Sequence, residues 1–217
     1  MVTPTKTQAV VFDCDGTLLE TESRWTMAER TVCAEWGVNF SMELKHRLLG
    51  THLDLAGKLL ADWVGADHAQ APLLSHQLIE AYRDAVDAHG VEPMPGAREL
   101  VEWLAGRVPL VVASNTHLAD TRRVLERSPL PDVFDAVVCA GDGIAPKPAP
   151  DVYLAACAAV SALPAWTIGL EDSPVGVAAA RAAGLRVVYG IPADGVTLEA
   201  DIVVASLAEI PPVRLLG

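Results

Sequence analysis

Two carboxylates one residue apart, Asp13 and Asp15, close the apolar run from Ala9 to Phe12 and are followed by Gly16. Carboxyl groups this close can divide a group transfer between them, one attacking and the other moving a proton, or they can share a cation. An isolated Asp-x-Asp is also an ordinary polar end to a strand, so the pair needs company to mean more. Three further stretches supply it. In "ASNT", Ser114, Asn115 and Thr116 follow a second apolar run. Such residues cap helices, and the free amides of a helix start also seat phosphate. In "GIAPKPAPDVY", Lys147 stands between Pro146 and Pro148, which stiffen the backbone around it and so aim its ammonium. No Ser or Thr follows this lysine, so the loop is not a nucleotide-binding P-loop. In "GLEDSPVG", Glu171 and Asp172 precede Ser173 and Pro174, a pair suited to a cap and a first helical turn. Four carboxylates facing one another require a positive partner, and an all-oxygen donor set selects a hard cation such as Mg2+. Carboxylates, lysine, cation and phosphate seat together suit phosphoryl transfer.

The elements that must position these residues form a clear rhythm. Apolar, β-rich runs recur at Ala9 to Phe12, Pro109 to Ala113, Ala136 to Ala140, Thr167 to Leu170, Leu185 to Tyr189 and Ile202 to Ala205. Unbroken Val/Ile/Leu runs point to strands buried on both faces, as in a parallel sheet. Helical stretches alternate with the later runs: Leu118 to Arg127, Asp151 to Ala162 and Val175 to Ala183. The expected fold class is therefore α/β, a doubly wound parallel sheet, whose ligands bind at the carboxyl ends of the strands. Residues 20–92 break this rhythm. Trp25, Ala28, Val32 and Trp36 fall at helical spacing before Gly37, and further helices are expected around Met42 to Leu49, Leu53 to Trp63 and Leu73 to Ala88. The turn-rich "EPMPGA" marks the return. The expectation is a core of residues 1–19 and 93–217 with an all-helical insertion, 20–92.

Order and spacing of the four stretches resemble those of the haloacid dehalogenase superfamily, in its β-phosphoglucomutase-like branch with a helical cap after the first motif. The resemblance rests on "FDCDGTL", "ASN", "KPAPD" and "GLEDSPVG". It implies that Asp13 is the nucleophile that forms an aspartyl-phosphate and that Asp15 is the acid and base. It places Gly16, Thr17, Ser114, Asn115 and Lys147 around the phosphoryl group. It places Mg2+ on Asp13, Asp15 (through its backbone carbonyl), Asp172 and Glu171, and it implies a cap that closes over the site. The first loop reads "ETESRW" where the branch often has Asp-Ser-Glu-Pro-Leu-His, so Trp25 replaces a frequent histidine. In "LLGTHLDLAGKLL", Leu53 stands where the sugar phosphomutase has a basic residue for a second phosphate. Both departures favour a phosphatase of a small phosphorylated metabolite over a phosphomutase. A non-catalytic phosphate binder on the same fold is the alternative from another class. Glu22, Trp25, Gly50, Thr51 and His52 are the substrate-contact candidates of the cap.

Composition narrows the partners. Of 217 residues, 51% are hydrophobic, enough for a substantial core. Sixteen basic residues against 28 acidic ones give a net charge of -12, which disfavours nucleic acid and anionic membranes. The run at Ala9 to Phe12 is too short for a secretory signal core, and none approaches the ~18 apolar residues of a spanning helix. Cys14, Cys33, Cys139 and Cys157 lack the spacing of a zinc site or disulfide framework. A cytoplasmic protein, monomer or weak dimer, is expected.

Overall fold

The computed structural model describes residues 6–193 and 195–217 of the chain. The chain divides into two compact units: Met1–Glu20 with Glu92–Gly217, and Thr21–Val91.

The first unit is built on a six-stranded sheet of β1 (Ala9–Phe12), β4 (Leu110–Ser114), β5 (Ala136–Cys139), β6 (Thr167–Glu171), β7 (Val187–Gly190) and β8 (Ile202–Val203). The strands lie in the order β5-β4-β1-β6-β7-β8 and every pairing is parallel. Counted along the chain within this sheet, that order is 3-2-1-4-5-6, the doubly wound arrangement, and it reverses at β1. β1 is buried along its whole length, as its unbroken apolar sequence requires. The remaining strands, β2 (Leu19–Glu20) and β3 (Glu92–Pro93), form a two-residue antiparallel ribbon. That ribbon is too short to leave a periodic signal, and it is absent from the sequence-based expectations.

Helices α5 (Ala97–Leu104), α6 (Leu118–Glu126), α7 (Asp151–Ala159) and α8 (Pro174–Ala182) complete this unit. α5 is also unpredicted, although its buried Ala97, Leu100, Val101 and Leu104 recur at helical spacing. One face of the sheet packs on α7 and α8 through Val11, Val111, Val152, Tyr153, Ala156 and Val177. The small side chains of α8, Ala179 and Ala180, let it lie close to the strands.

The second unit is all helical: α1 (Glu22–Glu35), α2 (Met42–Leu48), α3 (Leu53–Val64) and α4 (Ala71–His89). α4 packs against both α1 and α3. The buried face of α1 differs from the expected one. It consists of Ala28, Glu29, Val32 and Cys33, while Trp25 and Trp36 are half-buried at its edge. Each tryptophan finds a partner on α4: Trp25 stacks on Tyr82 at 3.8 Å, and Trp36 Nε1 donates to Gln77 Oε1. Glu29 is tolerated inside because the buried Lys45 ammonium lies 3.2 Å from its Oε1 and 2.6 Å from Glu22 Oε2.

Candidate active site

Four strand ends of the first unit deliver the site. β1 ends at Phe12, and the Asp13 amide still donates to Leu170 O on β6, which fixes the direction in which the carboxyl leaves the sheet. The chain then turns tightly, with Leu18 and Leu19 amides donating to Cys14 O. Gly16 makes the turn at φ +87°, and a Cβ there would lie 2.2 Å from Asp172 Oδ2. The first and fourth motifs therefore meet at a glycine, because only a residue without a side chain leaves room for the Asp172 carboxylate.

At the end of β4, Ser114 Oγ donates to Asp15 Oδ2 at 3.2 Å and accepts from the Thr116 amide. Thr116 Oγ1 donates to the same oxygen at 3.0 Å. Asn115 clasps the next loop, accepting from the Lys147 amide at 2.8 Å and donating to Lys147 O at 3.3 Å. The "ASNT" stretch therefore does not cap α6: the cap position is His117, whose side chain makes no capping bond. These side chains are committed to Asp15 and to the lysine loop instead. Thr116 carries a function that its position next to Asn115 does not reveal in sequence.

Lys147 is buried and spends its three ammonium donors inside the protein, on Asp13 Oδ1 (2.5 Å), Glu171 Oε1 (2.6 Å) and Ala113 O (2.9 Å). The prolines beside it do aim it, but towards two carboxylates and a carbonyl. Glu171, at the end of β6, is fully buried, and Ser173 caps α8 by accepting from the Gly176 amide, as the sequence suggests. Gly176 is needed for packing: a Cβ on it would sit 2.0 Å from the Glu171 carboxyl atoms.

Asp13, Glu171 and Asp172 each offer a carboxylate oxygen, all within 4.8 Å of one another. Burial pushes the Asp13 carboxyl up to about 8; Lys147 opposes the rise, and Glu171 and Asp15 add to it. Burial also works to lower the Lys147 ammonium, but Asp13 and Glu171 outweigh it and hold it above its ordinary value. Three carboxylates around one ammonium leave this pocket short of positive charge. Asp13 Oδ2 is buried with no hydrogen-bond partner. An orphaned, buried carboxylate oxygen beside further carboxylates fits a hard divalent cation. Cys14, between the two aspartates, is buried, and burial with the charges of Asp15 and Asp13 raises its thiol, so it stays protonated.

The structure brings Asp13, Asp15, Gly16, Ser114, Asn115, Lys147, Glu171 and Asp172 together through these contacts. The Asp15 carboxylate is held by the β4 loop rather than joining the triad. Thr17, expected near the phosphoryl group, is fully buried and its hydroxyl has no hydrogen-bond partner. The other candidates lie in the helical unit. Glu22 pairs with Lys45, and Trp25 lies on Tyr82. Gly50 takes φ +71°, Thr51 Oγ1 donates to Leu48 O, and His52 occupies the cap position of α3 without a capping bond. Tyr153, read in sequence as a helix residue only, reaches the site: its hydroxyl donates to Glu171 Oε1 at 2.7 Å.

The profile of the haloacid dehalogenase-like hydrolases matches residues 7–184, a span that holds all four strand-end motifs. The chain belongs to this family. It is a haloacid dehalogenase-like hydrolase, as the resemblance implied. It is 34% identical to protein CbbY of Rhodobacter capsulatus over 197 residues, 83% of this chain and 84% of that protein. It is 33% identical to hexitol phosphatase B of Escherichia coli K12, across the full length of both. Among solved structures, a putative β-phosphoglucomutase from Thermotoga maritima superposes with a TM-score of 0.76 at 26% identity, covering 95% of this chain and 98% of that one. The matched span therefore runs through both units of this hydrolase, and no helix among its described residues is long and apolar enough to cross a membrane.

Proposed function

We propose that this hydrolase is a Mg2+-dependent phosphatase of small phosphorylated metabolites, a sugar phosphate or similar phosphomonoester, working through an aspartyl-phosphate. The observation that carries the reading is Asp13 itself. It is buried, held by Lys147 through Oδ1, and unpartnered at Oδ2, with Asp15 two residues away on a separate set of hydrogen bonds. Two carboxylates with such different surroundings suit two different roles. The sugar phosphatases among its relatives support the same reading.

Asp13, the backbone carbonyl of Asp15 and Asp172 would hold the Mg2+, with Glu171 behind them. When bound, the ion supplies charge stabilisation to the transferring phosphoryl group. Asp13 attacks phosphorus with a carboxylate oxygen, and the bond from phosphorus to the leaving oxygen breaks. Asp15 delivers a proton to that oxygen, so the alcohol departs neutral. Asp15, now a carboxylate, takes a proton from water as the water oxygen attacks the aspartyl-phosphate, which releases phosphate and restores Asp13. The Ser114 hydroxyl and the Asn115 backbone N–H serve the phosphoryl oxygens. Lys147 balances the charge on Asp13 before attack. The helical unit acts as the cap that excludes bulk water and reads the leaving group, with Trp25 and the loop from Gly50 to His52 as its reading residues.

The test is phosphate release from p-nitrophenyl phosphate and from a panel of sugar phosphates, with Mg2+ and with EDTA. Release that requires Mg2+ is expected, with free sugar as the product. Isomerised sugar phosphate without release would make the protein a mutase, and no reaction on any phosphoester would overturn the reading.

A further inference from the structure

Glu171 accepts five hydrogen bonds on two oxygens. Oε1 takes Lys147 Nζ and the Tyr153 hydroxyl, and Oε2 takes the Asp172 amide, the Ser173 amide and Ser173 Oγ. A carboxylate has about four lone-pair directions, so this one is saturated. Lys147 is shared between Glu171 and Asp13 at nearly equal distance, 2.6 and 2.5 Å. Two buried carboxylates therefore compete for one ammonium, and the geometry at Asp13 depends on that competition being balanced. Tyr153 touches both sides of it. Its hydroxyl satisfies Glu171, and its ring centroid lies 5.1 Å from Lys147 Nζ, within cation–π reach.

We infer that Tyr153 is a positioning residue for Asp13: by donating to Glu171 Oε1 it satisfies the rival carboxylate and leaves the Lys147 ammonium on the nucleophile. Without the hydroxyl, an unsatisfied lone pair on Glu171 in a dry site draws Lys147 towards it. Asp13 then loses its partner and turns from a fixed nucleophile into a looser carboxylate that the ammonium no longer pairs. The effect runs through Glu171, since the Tyr153 hydroxyl bonds that residue and its ring remains in the core among Val11, Val111 and Val177. The inference rests on the phosphatase reading for its effect on turnover, and on the carboxylate cluster alone for its effect on cation binding.

Tyr153→Phe keeps the ring and its packing, so the core stays filled. The expected result is a kcat about tenfold lower on p-nitrophenyl phosphate with KM little changed, the scale of one hydrogen bond to a charged group. Mg2+ alone, titrated calorimetrically into the metal-free protein, is expected to bind severalfold more tightly, because the variant Asp13 is less neutralised. In a Glu171→Gln background, Tyr153→Phe should leave Mg2+ binding unchanged, since the rival charge is gone. An unchanged kcat, or Mg2+ binding that is unaltered or weakened, would overturn the inference, as would an undiminished effect in the Glu171→Gln background. A wild-type protein with no phosphatase activity would fail the function proposed above, while the Mg2+ titrations would still decide the role of Tyr153.

Discussion

Gly16 joins the first strand end to the fourth, and the consequence of changing it is calculable from its surroundings. A methyl group there would lie 2.2 Å from Asp172 Oδ2, at a backbone φ of +87°. The strain of a non-glycine residue in this conformation is about 1–2 kcal/mol, and the clash must be relieved by moving the Asp172 carboxylate. Gly16→Ala is therefore expected to weaken Mg2+ binding about tenfold or more while lowering the melting temperature by only several degrees, measured by calorimetric titration and thermal unfolding. Unaltered Mg2+ affinity would mean that Asp172 takes no part in holding the ion. Asp13, Asp15, Glu171 and Asp172 are legible in sequence because each stands at or within a few residues of a strand end, and Lys147, farther from β5, because two prolines flank it. Tyr153 and Thr116 are not. A tyrosine inside "DVYLAA" reads as core, which it also is, and its bond to Glu171 exists only because α7 packs across β4 and β1 and the long side chain reaches the end of β6. Glu29 also went unread in sequence, a charge that Lys45 makes tolerable inside the helical unit.

At the scale of elements, the loop after β4 and the loop that carries Lys147 hold each other through Asn115, whose amide group bonds both backbone polar groups of Lys147. That clasp, more than helix capping, explains an amide side chain at this position. Asn115→Ala removes both bonds and frees the lysine loop. The expected outcome is a kcat lowered about tenfold or more with a small loss of stability, since the loss of one partly buried pair costs about 1–3 kcal/mol. Steady-state kinetics beside thermal unfolding checks it, and wild-type turnover would show that the Lys147 loop is held by other means. The inner strands β1, β4 and β6 were visible because burial on both faces leaves unbroken apolar runs, whereas the edge strands β5, half-buried along most of its length, and β8, exposed, carry apolar runs without that burial. The β2–β3 ribbon and α5 were not anticipated. A two-residue strand has no period, and α5 begins directly after the turn-rich "EPMPGA", where the glycine and prolines dominate the reading.

For the molecule as a whole, the acidic pocket couples stability to pH and to the cation. The Asp13 carboxyl is raised from 3.8 to about 8, so the folded protein holds a proton that the unfolded chain releases well below neutrality. The stabilisation from that bound proton is fully present below 3.8 and is lost as pH rises towards about 8. The EDTA-treated protein should therefore lose stability over this window. Mg2+ bound at Asp13, as proposed, would replace the proton, so its stabilising effect is expected to be larger at the alkaline end than at the acid end. Thermal unfolding across the window with and without Mg2+ measures both, and an equal Mg2+ effect at both ends would contradict the account. The net charge of -12 bears on the same proposal, because a phosphorylated substrate would meet a repulsive field that a bound cation would offset locally. The central claim is that a phosphoryl group passes through Asp13. Its most direct test is acid quenching of the Asp15→Ala variant during turnover of p-nitrophenyl phosphate with Mg2+, followed by peptide mass spectrometry. The account predicts one phosphoryl group on Asp13, absent from Asp13→Asn; turnover with Asp13 unmodified, or a phosphoryl group on another residue, would contradict it.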